Sequence, residues 1–450
     1  MSSMQIDTRQ LKSVQELAQM TASQQAQYMA SLSAAQQAQE AAAAEQAREI
    51  RIRRALAKSI RYVVPAQPQG TTGTTAAFAQ GQQLTFEIPQ TGDAVATRLL
   101  MTLNLVADYT PAGTGPTMAT NAAYPWSLMD YIQLKFGNLQ IRWRPYFFKV
   151  LAQLAGRMQP AYAGQVFVGY SDTTVEGDEW NVPATIVSGN NTIFFKFDVP
   201  LAPLADLPGA GLVPISGSNN PIEVLVNCAA QVVGNDPLLN TFASNGTVTM
   251  SGSIEVDVEY VAGTSVAGPQ KYRVDPLDLI GYPTLQYDMD VPLTPLQVTG
   301  GKPQRLTRVG SLVHVIGCVI DGNQSNAFCH NSNITGLEVD IDAAAQTPLF
   351  RYGNGSKMPM NAYWHKWRET LQYDLDPGIV LFNAAPISNL KNPDARNGID
   401  YMENNNAGWP ALYHFVQVGS TGAVTSPRVE VAVSVLNRAG LSLAEVGPQS

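Results

Sequence analysis

The sequence predicts a mainly β protein in which two similarly built sandwich halves follow an N-terminal α-helical arm. Three observations carry this. Residues 1–62 contain no Gly or Pro and are rich in Ala and Gln, and the composition changes abruptly at VVPAQPQGTTGTT. Beyond that point, short apolar–polar alternations recur between turn clusters, the spacing of half-buried antiparallel strands. Several of these units also recur in the same order in the two halves of the body.

The arm is built of good helix formers, as in SAAQQAQEAAAAEQAREIRIRRALAKSI. One continuous helix from residue 9 to residue 61 would be about 80 Å long. Its first part is only weakly amphipathic, with Leu11, Val14 and Leu17, then Met29 and Leu32. Such a helix is marginal alone and is ordered by packing on something else.

The strand patterns of the body include Leu84, Phe86 and Ile88; Ile132, Leu134 and Phe136; Ile222, Val224 and Val226; and Val429, Val431 and Val433. Three ordered pairs suggest an internal repeat. LTFEIP at 84–89 pairs with QYDMDVP at 286–292. DYIQLKFGNLQIRWRPYFFKVLAQLAG at 130–156 pairs with GLEVDIDAAAQTPLFRYGNGSKMPMNAYWHKWRETL at 336–371. SIEVDVEYV at 253–261 pairs with RVEVAVSVL at 428–436. In the second pair Pro145 and Pro359 stand where a helix would begin, as helix entry prefers. All-β halves of this size with long loops are sandwiches, commonly jelly rolls. The expected division is an arm over 1–64, a first jelly roll over 65–266, a linker over 267–284, and a second jelly roll with a short C-terminal tail over 285–450.

Composition narrows the function. Hydrophobic residues make up 45% of the chain and charged residues only 14%. A surface poor in Lys and Glu suits burial against neighbours, and equally suits a sandwich with many polar turns. The formal charge of −8 divides into +3 for residues 1–62 and −11 for the remainder, a basic arm on an acidic body. Three sparse cysteines, Cys228, Cys318 and Cys329, argue against a disulfide framework and read as buried thiols. The sequence shows neither a signal-peptide pattern nor a membrane-length apolar run, so synthesis in a cytoplasm is expected.

No catalytic constellation stands out. The histidines His314, His330, His365 and His414 lack ligand spacing, and the adjacent pair Cys329–His330 does not make a tetrahedral site. Neither a nucleophile elbow nor a P-loop is present. The acidic run SDTTVEGDEW reads as a solvated loop rather than a calcium site. The aromatic groups Trp143, Tyr146, Phe147, Phe148 and Tyr363, Trp364, Trp367 read as core rather than as a sugar platform. We therefore expect no enzyme activity, no cofactor and no metal.

The end of the arm is more informative. On a helical wheel Arg51, Arg54, Lys58 and Arg61 fall on one side, with Ile52, Leu56 and Ile60 roughly opposite. The apolar stripe is a candidate docking face. The basic stripe suits phosphate in lipid headgroups or nucleic acid, the alternative being a solvated charged face.

A helical arm, the paired strand-and-aromatic-helix units and the closing strands together resemble the double jelly-roll major capsid proteins of tectivirus-like and corticovirus-like bacteriophages, which enclose an internal membrane. The resemblance is architectural and covers the whole chain. It implies two consecutive eight-stranded jelly rolls and homotrimers that form pseudo-hexagonal capsomers of an icosahedral capsid in the virion. The partners it implies are neighbouring capsomers, penton or minor capsid proteins, and the internal lipid membrane, with direct genome contact less expected. The basic end of the arm would face the particle interior. A receptor- or carbohydrate-binding spike or vertex protein built on tandem sandwiches is the alternative reading.

Overall fold

The structure is a computed structural model. It describes residues 14–30, 34–57, 61–89, 95–113, 115–136, 139–154, 158–159, 168–169, 181–200, 213–214, 222–261, 284–295, 304–306, 311–321, 328–340, 348–353, 357–371, 375–383, 399–400, 412–418 and 427–437.

Eight principal strands build the first half: β1 (Arg61–Pro65), β2 (Gln83–Glu87), β3 (Val95–Pro111), β4 (Met129–Phe136), β5 (Leu139–Trp143), β6 (Gly189–Pro200), β7 (Glu223–Cys228) and β8 (Gly246–Val261). They form two antiparallel sheets, ordered β1-β8-β3-β6 and β2-β7-β4-β5. The second half supplies β9 (Thr284–Pro295), β10 (Gln304–Leu306), β11 (Ser311–Ile320), β12 (Ile334–Asp340), β13 (Pro348–Gly353), β14 (Ile379–Asn383), β15 (Leu412–Val418) and β16 (Arg428–Asn437). Its sheets run β9-β16-β11-β14 and β10-β15-β12-β13, the same order with every strand number raised by eight. Each half is therefore an eight-stranded jelly roll. Short strands such as Gln67–Pro68 and Thr75–Ala77 extend the first half's sheets.

Alternation decides which face of each strand is buried. On β3, Leu99, Met101, Leu103, Leu105 and Ala107 point into the sandwich, while Thr102, Asn104 and Asp108 point away. Opposite them, Phe86, Ile132, Leu134, Val224 and Val226 come from the second sheet. The two sheets thus share one apolar core. Gly252 on β8 is required there. Its φ of +131° brings it against the backbone of β3, and a Cβ would lie 2.2 Å from the Asn104 carbonyl oxygen.

Two of the three repeat pairs read from the sequence occupy equivalent places. β4, β5 and helix α4 (Pro145–Leu154) in the first half match β12, β13 and α5 (Met360–Leu371) in the second. The closing strands match as β8 and β16. The first pair does not correspond, because LTFEIP lies in the second strand of its half and QYDMDVP in the first strand of the other. The counterpart of β9 is β1, RYVVP, whose register runs from Arg61 against Val261 to Pro65 against Asp257. Five residues at a sheet edge give too short an alternation to be told from a linker, and alternation alone cannot rank one strand against another. Residues 61–64, assigned to the arm from the sequence, thus pair with the first jelly roll. The predicted linker falls largely outside the described residues, and Thr284 already opens β9.

The arm is helical but not one helix. Its helices are α1 (Val14–Leu17), α2 (Ala22–Ala30) and α3 (Ala34–Ala57). The break before α2 has a local cause. Thr21 Oγ1 accepts from the Gln24 amide at 3.3 Å, while Gln24 Oε1 accepts from the Thr21 amide at 3.0 Å. This is a capping box, and TASQ spells it in the sequence. Such a cap is worth about 1 kcal/mol. The tetrapeptide Ser33-Ala34-Ala35-Gln36 has the same pattern just where α3 begins.

All three cysteines are buried and free. Burial pushes the Cys228 thiol up to about 11 and the Cys329 thiol up to about 12, and also raises that of Cys318. The native protein should therefore resist a thiol reagent such as dithiobisnitrobenzoate at pH 8, with three thiols appearing only in denaturant. Labelling of any thiol at the free-cysteine rate in the folded protein would contradict this packing.

Candidate functional site

The most constrained polar structure among the described residues lies where the two halves meet. β9 runs beside β5, so the first strand of the second half flanks the outer strand of the first. After β5 the chain passes through Arg144 into α4, whose Tyr146, Phe147, Phe148 and Val150 are buried around Trp143. The aromatic groups predicted as core are core, and in α5 Tyr363 and Trp367 are buried likewise. Trp364 is half-buried.

Among the described residues, three ion pairs cross this seam. Arg144 Nε donates to both oxygens of Glu430, at 2.6 and 2.7 Å, and its Nη1 donates to the Asp130 carbonyl at 3.2 Å. Arg428, two residues before Glu430 on β16, donates from Nη2 to Asp236 Oδ2. Lys149 Nζ donates to Asp376 Oδ2 at 2.6 Å, and the Tyr146 hydroxyl donates to the same oxygen at 3.1 Å. One turn of helix separates Tyr146 from Lys149, so α4 presents both to the second half. The Tyr146 ring also packs on Phe328, with centroids 5.0 Å apart.

The signs are mixed on each side. The first half contributes Asp236, Arg144 and Lys149, and the second contributes Arg428, Glu430 and Asp376. A slipped or inverted docking would set like charges together, so the pattern fixes one relative placement. Buried pairs of this kind add little net stability, because desolvation offsets the Coulomb gain. Burial accordingly raises the pKa of Glu430, with Asp236 and Asp130 adding to the effect and Arg144 opposing it. Asp130 is raised for the same reason, again against the pull of Arg144.

A polar knot holds the first half's edge of the seam in shape. Asn121 is 3% exposed. Its Nδ2 faces the carbonyl oxygens of Asn240 at 2.9 Å, Gly234 at 3.1 Å, and Asp236 and Phe242 at 3.4 Å. Within that loop Asp236 Oδ1 accepts from the amides of Leu238 at 3.0 Å and Leu239 at 3.1 Å, leaving Oδ2 for Arg428. Asn121 thus orders the loop that aims Asp236 across the seam. Nothing in the local sequence distinguishes this asparagine from those of ordinary turns.

The residues predicted at the end of the arm are only partly brought together. Arg51 lies on α3, where its Nη1 donates to the Leu17 carbonyl at 2.9 Å and its Nη2 to Gln25 Oε1 at 3.0 Å. Ile52, Arg54 and Leu56 follow on the same helix, which ends at Ala57. Lys58 and Ile60 lie outside the described residues. Arg61 opens β1 rather than closing the helix. A single helical stripe from Arg51 to Arg61 is therefore not formed, because the chain has become an edge strand by then. The SDTTVEGDEW run falls outside the described residues. His330 Nδ1 accepts from the Ser332 amide at 3.3 Å and caps a short turn. Among the described residues no group of three or more His, Cys, Asp or Glu is placed to hold a metal.

No protein-family model and no curated protein sequence matches the chain. Solved structures do. The crystal structure of the major capsid protein of Sulfolobus turreted icosahedral virus covers 84% of this chain and 96% of its own, at 12% identity and a TM-score of 0.51. In the atomic structure of the same virus, the similar chain gives 12% identity, coverage of 84% and 90%, and a TM-score of 0.50. The major capsid protein P2 of bacteriophage PM2 is also similar, at 7% identity, coverage of 85% and 98%, and a TM-score of 0.43. At such identities the likeness is one of fold, and it extends over both halves: the chain has the double jelly-roll fold found in viral major capsid proteins.

Proposed function

We propose that the protein is a viral major capsid protein that acts in the virion by self-association, as trimers whose six jelly rolls form a pseudo-hexagonal unit. The observation that carries this reading is the internal seam and the distribution of its counterparts. Besides the loop carrying Asp236 and its partner strand β16, the seam is built from β5 and α4 on one side, and from β9 and the segment before β14 on the other. By strand order their counterparts are β13 and α5, β1, and the segment before β6. Those counterparts lie on the flanks of the chain. Each carries a large hydrophobic residue that stands half exposed: Met358 at 50%, just before α5; Val63 at 50%, on β1; and Val187 at 51%, before β6. They are the exposed large hydrophobics found among the described residues. On α5, His365, Lys366, Arg368 and Glu369 are also exposed, whereas α4 turns Tyr146 and Lys149 onto Asp376 and Phe328 of the second half.

One flank of a copy is thus suited to the opposite flank of the next. Such a head-to-tail contact forms rings when the rotation closes, and three two-domain copies give six similar units. Size-exclusion chromatography with light scattering at micromolar concentration should give a trimer. The double variant Val187→Asp, Met358→Glu should weaken trimerisation at least about tenfold, the order expected when charge enters an apolar contact. Monomeric wild-type protein would overturn the reading.

Of the basic residues read at the arm's end, Arg54, Lys58 and Arg61 are proposed to face the particle interior and an anionic lipid surface there, whereas Arg51 is engaged within the arm by the Leu17 carbonyl and Gln25. Support comes from the +3 charge of residues 1–62 against −11 for the body. Charge reversal at Arg54, Lys58 and Arg61 should reduce co-flotation with phosphatidylglycerol vesicles, and unchanged co-flotation would reject this role.

A further inference from the structure

The arm's interior is separate from that of the jelly rolls. Leu17, Ala18 and Ala47 are buried together, with Met20, Tyr28, Ala43 and Ile50 packed around them. The remaining contacts are polar. Arg51 on α3 reaches the Leu17 carbonyl at the end of α1 and the side chain of Gln25 on α2. The Tyr28 hydroxyl donates to Glu40 Oε1 at 3.3 Å, and Gln37 Nε2 donates to the Met29 carbonyl at 3.2 Å. Gln25 and Glu40 are themselves buried. The segment α1–α2 therefore lies on α3 through a small apolar cluster of these seven residues and a few side-chain hydrogen bonds. None of these contacts requires both partners to belong to one chain.

The sequence adds a second observation. The arm contains no Gly or Pro, and α2 and α3 are separated only by Ser31-Leu32-Ser33. Continued through those residues, a helix from Ala22 to Ala57 would be about 54 Å long. The same chain thus suits both a folded hairpin and a long straight helix. In the straight form it carries α1–α2 away from its own α3.

We propose that the arm is an exchange element: in the assembled state α1–α2 of one copy lies on α3 of a second copy, clasped by that copy's Arg51, in place of the intramolecular contact. The occupant of the α3 surface is then the segment that already fits it, supplied in trans, as in domain swapping. The proposal rests on the self-assembly reading above and adds to it a residue-level route by which neighbours are tied.

The test uses the full chain carrying Leu17→Cys and Ala47→Cys, prepared unlabelled and as nitrogen-15 protein, mixed before assembly and treated with a short bismaleimide. Free chains should cross-link within themselves. Trimers or particles should yield heavy–light cross-linked pairs. Cross-links confined to single chains in assembled material would overturn the exchange while leaving self-assembly standing. A wild-type chain that stays monomeric would overturn both.

Ala34→Pro supplies an independent arm. Position 34 is the first residue of α3, where proline is well tolerated in the hairpin. In a straightened helix the same position is interior, where proline breaks the hydrogen-bond ladder. The variant should keep the thermal midpoint and the intrachain cross-link of the free chain, and lose at least about tenfold of the inter-copy product. Wild-type yields of that product from Ala34→Pro would reject the straightened form.

Discussion

Glu430→Ala should lower the unfolding free energy by about 3–5 kcal/mol, the cost of removing one partner from a buried ion pair. Arg144 is only 15% exposed and would keep just the Asp130 carbonyl as a visible acceptor. The double variant Arg144→Met, Glu430→Leu should recover most of that loss, since a packed apolar pair needs no desolvated charge. Chemical denaturation of the wild type, both single variants and the double variant checks this, and additive losses would refute the coupling. The pair also has a pH signature. Glu430 and Asp130 both hold protons more strongly when folded, because burial outweighs the attraction of Arg144. Between the ordinary carboxylate range and the raised values, the folded chain binds more protons than the unfolded one. The contribution of these groups is therefore complete below that window and is lost as pH rises through it. The stability of the wild type relative to Glu430→Gln should fall as pH rises across the window. A flat difference would show that Glu430 titrates alike in both states.

Asn121→Asp should be comparably severe, at about 3–5 kcal/mol, because it places an uncompensated charge in the interior. The carboxylate would face four carbonyl oxygens now served by the amide nitrogen. The loop from Gly234 to Phe242 would lose its organising donor, and Asp236 with it. Thermal unfolding should show the loss, and hydrogen exchange should rise first at 234–242. Asn121→Ser, which keeps one donor and carries no charge, should cost less than the aspartate. Equal losses for serine and aspartate would mean that the carbonyl cage is not the cause.

The fold is legible in the sequence where a signal is local and repeated. Long alternations such as those of β3, β8 and β16 announce strands because each buried side chain is two residues from the next. The aromatic helices were visible for a similar reason, with Tyr146, Phe147 and Phe148 beside a helix-starting proline. Short or long-range features were hidden. β1 has five residues, and its pairing with β8 lies almost two hundred residues away, so residues 61–64 read as the end of the arm. The seam is the extreme case. Arg144 and Glu430 are 286 residues apart, and no spacing rule connects them. Asn121 depends on four carbonyl groups, and backbone carbonyls have no sequence identity to read. The arm's first break was legible in principle. TASQ is a capping box, but the absence of Gly and Pro made a continuous helix the simpler reading.

The position of β16 has a consequence for how the protein is made. A ribosome finishes β1 to β8 long before it reaches Arg428 and Glu430. During that interval Asp236, Arg144 and Lys149 have no partners from the second half, and Tyr146 lacks Phe328. The two halves are registered against each other by nearly the last strand to emerge. A chain cut short before that strand keeps a first jelly roll with an ionic edge that nothing neutralises. Such fragments hold Arg144, Lys149 and Asp236 ready for partners that only the later strands supply.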